Sequence, residues 1–549
     1  MSELKERLKN IFGREPSGME LKAFACYDTD SGNRRKHFRR YSESKPLYLN
    51  LDDDHYLYIS HHTNRLRCRI DMATRHLDTN ICYPHGGGSI MAGISHPGRE
   101  RRLRSRHVNY RIFVQPARQE DEKYLHGVSA YADHMALIQD ESPWERLCRV
   151  CTGTAAGCHI TASAARLFSP YENGLLYFVP EHQQLSFKKA AAGFDQQPQF
   201  IGKTVPYPIV SLDNEDGLLE VPVSTLKMLQ ESMMKYTEDR TPYRESTGKN
   251  VLPEAPASDD SNIEKLLTLL KEEEAEYPPQ EYATAATLPD LRIDPFPLCG
   301  PAFSVNGIEL HTLSAIVDLY ARGLKPLALS FYMESKATLP QKLDPLTAAV
   351  RKSAELFDIP VANNCIVPGE HNDLKLFFVS TAAKDAASCA FREAGDFICL
   401  LGDPSGTLNG SAYTRAVTGK SRFSPPGVMR GTIAALVNVL EECRKQDILS
   451  SVCPVQRGGL FYALYRSCSP GFGASVYSER KSPPQVFVFG EPQAALLVSI
   501  KEKDLIGLAR ITSNFNLTST TIGRVREEKV IDINNIIRYD LRSGKTDTR

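Results

Sequence analysis

Residues 394–413, AGDFICLLGDPSGTLNGSAY, constrain the fold of this chain more than any other stretch. After the polar turn Gly395-Asp396 comes Phe397-Ile398-Cys399-Leu400-Leu401, an apolar run with the length of a buried strand. It empties into Gly402-Asp403-Pro404-Ser405-Gly406, followed by Asn409-Gly410-Ser411. Glycine permits a turn with φ > 0, and bare N–H groups in such a loop can face a phosphate. By itself this composition is that of a plain strand–loop connection. The phosphate-facing reading depends on what accompanies the stretch elsewhere in the chain.

A chain of 549 residues exceeds one ordinary core, which predicts roughly two to four domains. Its 66 basic side chains balance its 66 acidic ones, so net charge gives no argument for nucleic acid or an anionic membrane as partner. No apolar run approaches the ~20 residues of a membrane span. The N-terminal MSELKERLKNIFGREPS is charged and amphipathic, without the apolar core of a signal peptide. Thirteen scattered cysteines then fit reduced thiols, and the expected location is cytoplasmic.

Leu4, Leu8, Ile11 and Phe12 share one face of a helix that Gly13 can end, and Pro16-Ser17-Gly18 turns into a second short helix. Two basic runs, Arg34 to Arg40 and Arg99 to His107, read as solvated faces, with an anion site as the alternative. Residues 46–59 predict two strands around Asp52-Asp53-Asp54, followed by His61-His62. Cys148, Cys151, Cys158 and His159 are zinc-type ligands, but the second pair is adjacent and no distant pair completes the set. Small buried cysteines are the preferred reading there, and no metal is predicted.

Residues 237–262 turn to Thr, Pro, Ser, Asp, Glu and Asn, the composition of an interdomain linker. An amphipathic helix follows at 263–274, with Ser261-Asn262 as its cap. Beyond 295, helices at 308–322, 343–357, 427–445, 458–467 and 502–512 alternate with strands at 327–329, 359–367, 374–380, 485–489 and 494–500. That alternation predicts a layered α/β or α+β domain.

Several segments resemble phosphoribosylformylglycinamidine synthase of the PurL type, within the AIR-synthase-like superfamily. LKNIFGREPSGMELKAF (8–24) is similar to the family's opening helix, "GREP" turn and next helix, and RKHFRRY (35–41) to the basic stretch that follows. Residues 263–282 resemble its "LLALL…YD" segment, ARGLKPLALS (321–330) its "ATGAKPLAIT", and AELFDIPVANNCIV (354–367) its "LGIPVVGGNVSLY" strand. The stretch at 395–413 is similar to "GDLIYLLGETRGELGGSEY". RGGLFYALYRSCSPGFGASV (457–476) resembles "DGGLAVALAEMCIAGGVGAEV", and VFGEPQAALLVSI (488–500) resembles "LFGESQGRFLVSV". The segments occur in the family's order and cover about 40 N-terminal residues and most of 260–530.

The resemblance implies an α+β fold with layered α/β lobes. A helical segment would occupy 1–45, a reduced or remodelled AIR-synthase-like half 46–236, an N-terminal lobe 263–392 and a C-terminal lobe 393–549. It implies ATP-dependent amidation, in which a formamide oxygen is phosphorylated and then displaced by ammonia while Mg²⁺ bridges phosphates. ATP or ADP with Mg²⁺ is the implied cofactor. Gly402, Asp403, Ser405, Gly406, Asn409, Gly410 and Ser411 would line phosphate, Glu491 and Gln493 would stand on the substrate side, and His61 or His62 would be the catalytic histidine.

Departures from the pattern bear on that chemistry. The family's "ESHNHP" is met only by Ser60-His61-His62-Thr63-Asn64, "WSEHCSYK" by CYDTDSGN (26–33), and the "NFGNP" loop by SFYMESKATLP (330–340). The "DGGL" aspartate is Arg457, and "GESQGR" becomes Gly490-Glu491-Pro492-Gln493-Ala494-Ala495. The "GGDAAV" strand has no clear counterpart. An arginine in place of an aspartate removes an acceptor and installs a fixed cation. Two readings remain. One is a divergent ATP-dependent C–N ligase; the other is a pseudoenzyme or scaffold that keeps the fold to bind a nucleotide or a protein. No glutaminase segment is expected in the chain, so any ammonia would come from a partner chain or solution. A homodimer or a pseudo-dimer within the chain would pair the halves.

Overall fold

The computed structural model describes residues 2–25, 47–51, 55–62, 79–85, 88–95, 109–118, 122–154, 156–215, 217–235, 260–276, 278–282, 290–299, 303–336, 340–381, 388–419, 427–468, 471–477, 483–534 and 537–546. Both basic runs, most of 237–262, the 26–33 segment and Thr63-Asn64 lie outside them. Two compact units emerge. One comprises Met1–Thr241 with Ala337–Pro340 and Asn363–Pro368, and the other comprises the remainder.

In the first unit, helices Ser2–Phe12 and Gly18–Ala23 open the chain. Gly13 ends the first at φ 68°, and Ser17 starts the second in a capping box, exchanging bonds with Glu20. Leu4, Leu8 and Phe24 pack into one core with Trp144, Phe178 and Leu226, so this helical segment is built onto the unit behind it. A four-stranded antiparallel sheet runs in the order Leu47–Asn50, Tyr56–His62, Gly88–Ser95, Thr79–His85. A seven-stranded mixed sheet runs Gly217–Pro222, Ile209–Asn214, Gly157–Ile160, Gln199–Val205, Tyr110–Pro116, Tyr171–Pro180, His134–Glu141. Cys148, Cys151 and Cys158 are buried among these elements, and the His159 ring turns to the Ser211 hydroxyl at 3.0 Å. The three thiols lie in the core that contains Leu147 and Ile160.

The second unit also contains two sheets. In one, Leu291–Cys299, Asp373–Thr381 and Lys325–Ser335 run antiparallel side by side, with Gln280–Tyr282 outside them. The strand from Lys325 continues through Ser335, so the SFYMES segment extends a strand where the family string reads as a loop. The other sheet has eight strands, in the order Ser451–Pro454, Ala494–Ile500, Phe397–Asp403, Ser519–Arg526, Gly473–Val476, Val530–Ile533, Ile537–Asp540, Lys545–Thr546.

Phe397–Asp403 lies inside this sheet with both faces covered. Ile398 and Leu400 point into a core shared with the helices Asp260–Glu276, Ala412–Thr418 and Gly459–Cys468. Cys399 and Leu401 point into a core shared with Val305–Ala321, Arg430–Lys445 and Leu505–Asn514. A strand buried on both sides must be apolar at successive positions, which is why it reads as a run without alternation. Ile263, Leu266, Leu267 and Leu270 bury one face of the Asp260–Glu276 helix, at about 2 kcal/mol gross for each side chain.

Two expectations are corrected. Residues 485–489 are not a strand; Pro484–Phe489 is a helix. Pro484 sits at its first position, where the missing N–H costs nothing and the fixed φ suits a helix, and a short apolar run has no period to oppose it. The helix at 263–274 begins earlier, at Asp260, so Ser261 and Asn262 form its first turn and do not precede it. Among the described residues no helix is long and apolar enough to cross a membrane.

Candidate functional site

The loop leaves its strand at Gly402, whose φ of +85° and 2.3 Å spacing from a would-be Cβ to the Ala494 carbonyl oxygen exclude a side chain. Its amides are largely engaged within the fold. Gly402 N–H donates to Thr518 O at 3.0 Å, Ser405 N–H to Asp403 Oδ1 at 2.9 Å, and Asn409 N–H to Thr407 Oγ1 at 3.1 Å. Ser411 N–H donates to Leu408 O at 3.2 Å. The expectation of bare N–H groups therefore fails at these four positions, because the turn needs them to hold its shape. The amides of Gly406 and Gly410 make no hydrogen bond to the described residues.

Ser411 is buried and caps the helix Ala412–Thr418, its hydroxyl accepting from Thr414 N–H at 3.2 Å. Opposite stands Glu491. Its backbone pairs with Thr407 in an isolated bridge, and its Oε1 accepts 2.8 Å bonds from both Ala412 N–H and Gly458 N–H. One carboxylate thus joins the loop, a helix start and the Arg457-Gly458-Gly459 turn. Burial pushes the Glu491 carboxyl above its ordinary value, opposed by Arg457, the two amides and Arg415.

Arg457 points its guanidinium at the helix Asp260–Glu276, with Nη2 2.7 Å from Glu273 Oε2. Arg415 pairs with the same carboxylate. Nearby, His311 Nε2 lies 3.1 Å from Phe296 O; burial and the positive field of Arg457, against that carbonyl, pull the imidazole down to about 4. Gln456 Nε2 donates to Ser314 O at 2.7 Å. Gln493 clasps backbone, accepting from Met429 N–H at 3.0 Å and donating to Gly427 O at 3.1 Å.

The structure therefore gathers Gly402, Asp403, Ser405, Gly406, Asn409, Gly410, Ser411 and Glu491 around one loop, with Gln493 two residues beyond. His61 and His62 belong to the other unit, buried at the end of Tyr56–His62 opposite Ile90 and Ser89. Sequence reasoning missed Glu273, Arg415 and His311. Their partners are 142 or more positions away for the two charged groups, and no local pattern marks them.

No family model matches the chain. The PurL subunit of phosphoribosylformylglycinamidine synthase from Methylocella silvestris is 32% identical over 139 residues, which is 25% of this chain and 19% of that protein. The corresponding subunit from Carboxydothermus hydrogenoformans is 23% identical over 243 residues, 42% of this chain and 33% of that protein. The matched stretches thus span a fifth to a third of those relatives' lengths. In fold, the PurLQS structure from Thermotoga maritima matches with a TM-score of 0.59 at 12% identity, covering 96% of this chain and 100% of that one. Thermotoga maritima PurL complexed with ATP matches with a TM-score of 0.57, also at 12% identity and with the same coverage. This chain is thus related in sequence to PurL subunits over those stretches, and its fold is the PurL-type, AIR-synthase-like one.

Proposed function

We propose that this chain is a divergent relative of phosphoribosylformylglycinamidine synthase, the ATP-dependent amidation enzyme of purine biosynthesis. In this reading the family reaction is altered or lost, and nucleotide phosphate binding persists at the loop Gly402–Ser411. The observation that carries it is the pairing of Arg457 and Arg415 with Glu273. Where the family string has an aspartate, this chain has a cation already committed to its own helix. The two unengaged glycine amides, Gly406 and Gly410, are what the loop offers a phosphate oxygen. Thermotoga maritima PurL has been seen with ATP, with ADP and with AMPPCP, which supports nucleotide as the ligand class.

The described residues do not suit a protein-held Mg²⁺. No three His, Cys, Asp or Glu side chains among them are placed to share a metal. Asp403 Oδ1 accepts from Ser405 N–H, and Glu491 Oε1 accepts from two amides, so one oxygen of each carboxylate is already engaged by backbone. No step is assigned to the ion on this basis.

A thermal-shift titration with Mg-ADP tests the binding half. Ligand at a hundred times its dissociation constant stabilises by about 2.7 kcal/mol, and no shift at millimolar nucleotide would refute it. The catalytic half fails if ADP release depends on formylglycinamide ribonucleotide and ammonia. A non-catalytic scaffold or protein-interaction subunit is the second reading, favoured by the four loop amides consumed internally.

A further inference from the structure

A groove of about 720 Å³ lies on the eight-stranded sheet, lined by Phe397, Ser475, Tyr477, Phe487, Arg524 and Arg526 among others. The sheet register builds much of it. Phe397, Arg524 and Ser475 stand directly opposite one another on three adjacent strands, so their side chains share a face. Arg526 follows Arg524 by two residues, which returns it to that face about 7 Å further along. Its cross-strand partner is Gly473, which leaves the space beside it without a side chain. Ser475 Oγ bonds to the Tyr477 hydroxyl at 3.1 Å, which folds the tyrosine back over the same row. Tyr477 is 55% exposed, an unusual state for so large a ring with one hydroxyl bond.

The charge here is distinctive. Arg322, Arg415, Arg430 and Arg457 each meet a carboxylate. Arg524 and Arg526 meet none among the described residues, in a chain whose charges otherwise balance. Arg524 is held in place by stacking, with its Cζ 3.8 Å from the Phe397 ring centre, and among the described residues its guanidinium makes one hydrogen bond, a long one of 3.4 Å to Gly395 O. A fixed guanidinium and a second one beside it form a fork suited to a phosphate, which takes bidentate donors from arginine. Tyr477 and Phe487 add aromatic surface of the kind that receives a planar ring, and the Ser475 hydroxyl adds a polar group to the same lining. The volume is within the ~300–1,000 Å³ of small-molecule sites.

We propose that this groove binds a nucleoside monophosphate, its phosphate on Arg524 and Arg526 and its base against Tyr477. The groove borders the loop Gly402–Ser411 through Pro404, but its two cations, Arg524 and Arg526, lie outside that loop, so the two sites are tested by different substitutions.

Isothermal titration of the full chain with AMP, and separately with inorganic phosphate, tests the assignment. AMP binds saturably at one site per chain and more tightly than phosphate. Arg524→Ala and Arg526→Ala each weaken AMP roughly tenfold or more, the loss expected when a hydrogen bond to a charged group is removed. Tyr477→Ala weakens AMP while leaving inorganic phosphate unchanged. These exposed positions leave the core intact, and an unchanged melting temperature checks it. No saturable AMP binding overturns the proposal, as does AMP affinity indifferent to both arginine substitutions. AMP and phosphate binding equally well overturns the nucleoside assignment. If Gly410→Ala abolishes AMP binding while the Arg524→Ala/Arg526→Ala double variant keeps it, the ligand belongs to the loop; the groove is then refuted and the proposed function stands.

Discussion

Arg457 Nη2 lies 2.7 Å from Glu273 Oε2, a pairing that spans 184 positions of sequence and fixes the helix Asp260–Glu276 to the turn before Gly458. Arg415 reaches the same carboxylate from the helix Ala412–Thr418. Arg457 is therefore tied into the packing of this unit through Glu273.

Reversing that replacement tests its structural role. Arg457 is 49% exposed and Glu273 30%, so solvent screens the pair. Arg457→Ala costs under about 1 kcal/mol, because Arg415 still holds Glu273. Arg457→Asp costs more, since it places a third carboxylate near Glu273 and Glu491. Urea denaturation of the two variants gives the comparison; equal stabilities would mean that Arg457 does not feel those charges.

Glu491 is the next case. Removing its side chain leaves the amides of Ala412 and Gly458 without an acceptor, at about 1–3 kcal/mol apiece. Glu491→Ala is thus strongly destabilising, whereas Glu491→Gln keeps an oxygen in place. The raised carboxyl value gives the sign with pH. A carboxyl that binds its proton more tightly when folded stabilises the fold most below its unfolded value. That contribution is lost as pH rises through the folded value. Relative to wild type, Glu491→Gln therefore gains stability as pH rises above 4.5, as denaturation at a series of pH values would record.

The sequence displayed some of this and concealed the rest, for identifiable reasons. Phe397–Leu401 was legible because burial on both faces leaves an unbroken apolar run between polar turns. The helix at Asp260–Glu276 was legible because Ile263, Leu266, Leu267 and Leu270 repeat at helical spacing. Ser519–Arg526 was not, because a bulge opposite Ile398 and Cys399 breaks its alternation. Glu491 was singled out as a substrate-side group, yet its partners at Ala412 and Gly458 exist only after folding. The same holds for the amides of Gly402, Ser405, Asn409 and Ser411, whose availability depends on how the turn closes.

His311 predicts a pH effect of opposite sign. Its imidazole falls from 6.5 to about 4 on folding, so the folded state keeps it neutral while the unfolded chain takes up a proton. Stability is complete above pH 6.5 and declines as pH falls towards about 4, by up to about 3 kcal/mol in all. His311→Gln should flatten that decline and little else. Chemical denaturation from pH 7.5 down to 4 distinguishes the two curves, and parallel curves would show that His311 titrates normally.

Two glycines with similar backbone angles separate strain from crowding. Gly419 ends the helix Ala412–Thr418 at φ +63°, and a Cβ there would meet nothing within 4 Å. Gly419→Ala therefore incurs only the left-handed conformational cost, about 1–2 kcal/mol. Gly458 has φ +77°, but a Cβ there would lie 2.7 Å from Tyr462 Cβ and 2.8 Å from Leu270 Cδ1. Gly458→Ala must also push Tyr462 or Leu270 aside, which threatens the 2.8 Å bond from the Gly458 amide to Glu491. Its cost should exceed that of Gly419→Ala by about 1–3 kcal/mol, the usual penalty of overpacking. In a Gly458→Ala background, Glu491→Ala should then cost less than it does in wild type, because one of its two bonds is already weakened. A double-mutant cycle measured by urea denaturation decides this, and additive effects would show that the turn absorbs the methyl group without moving the amide.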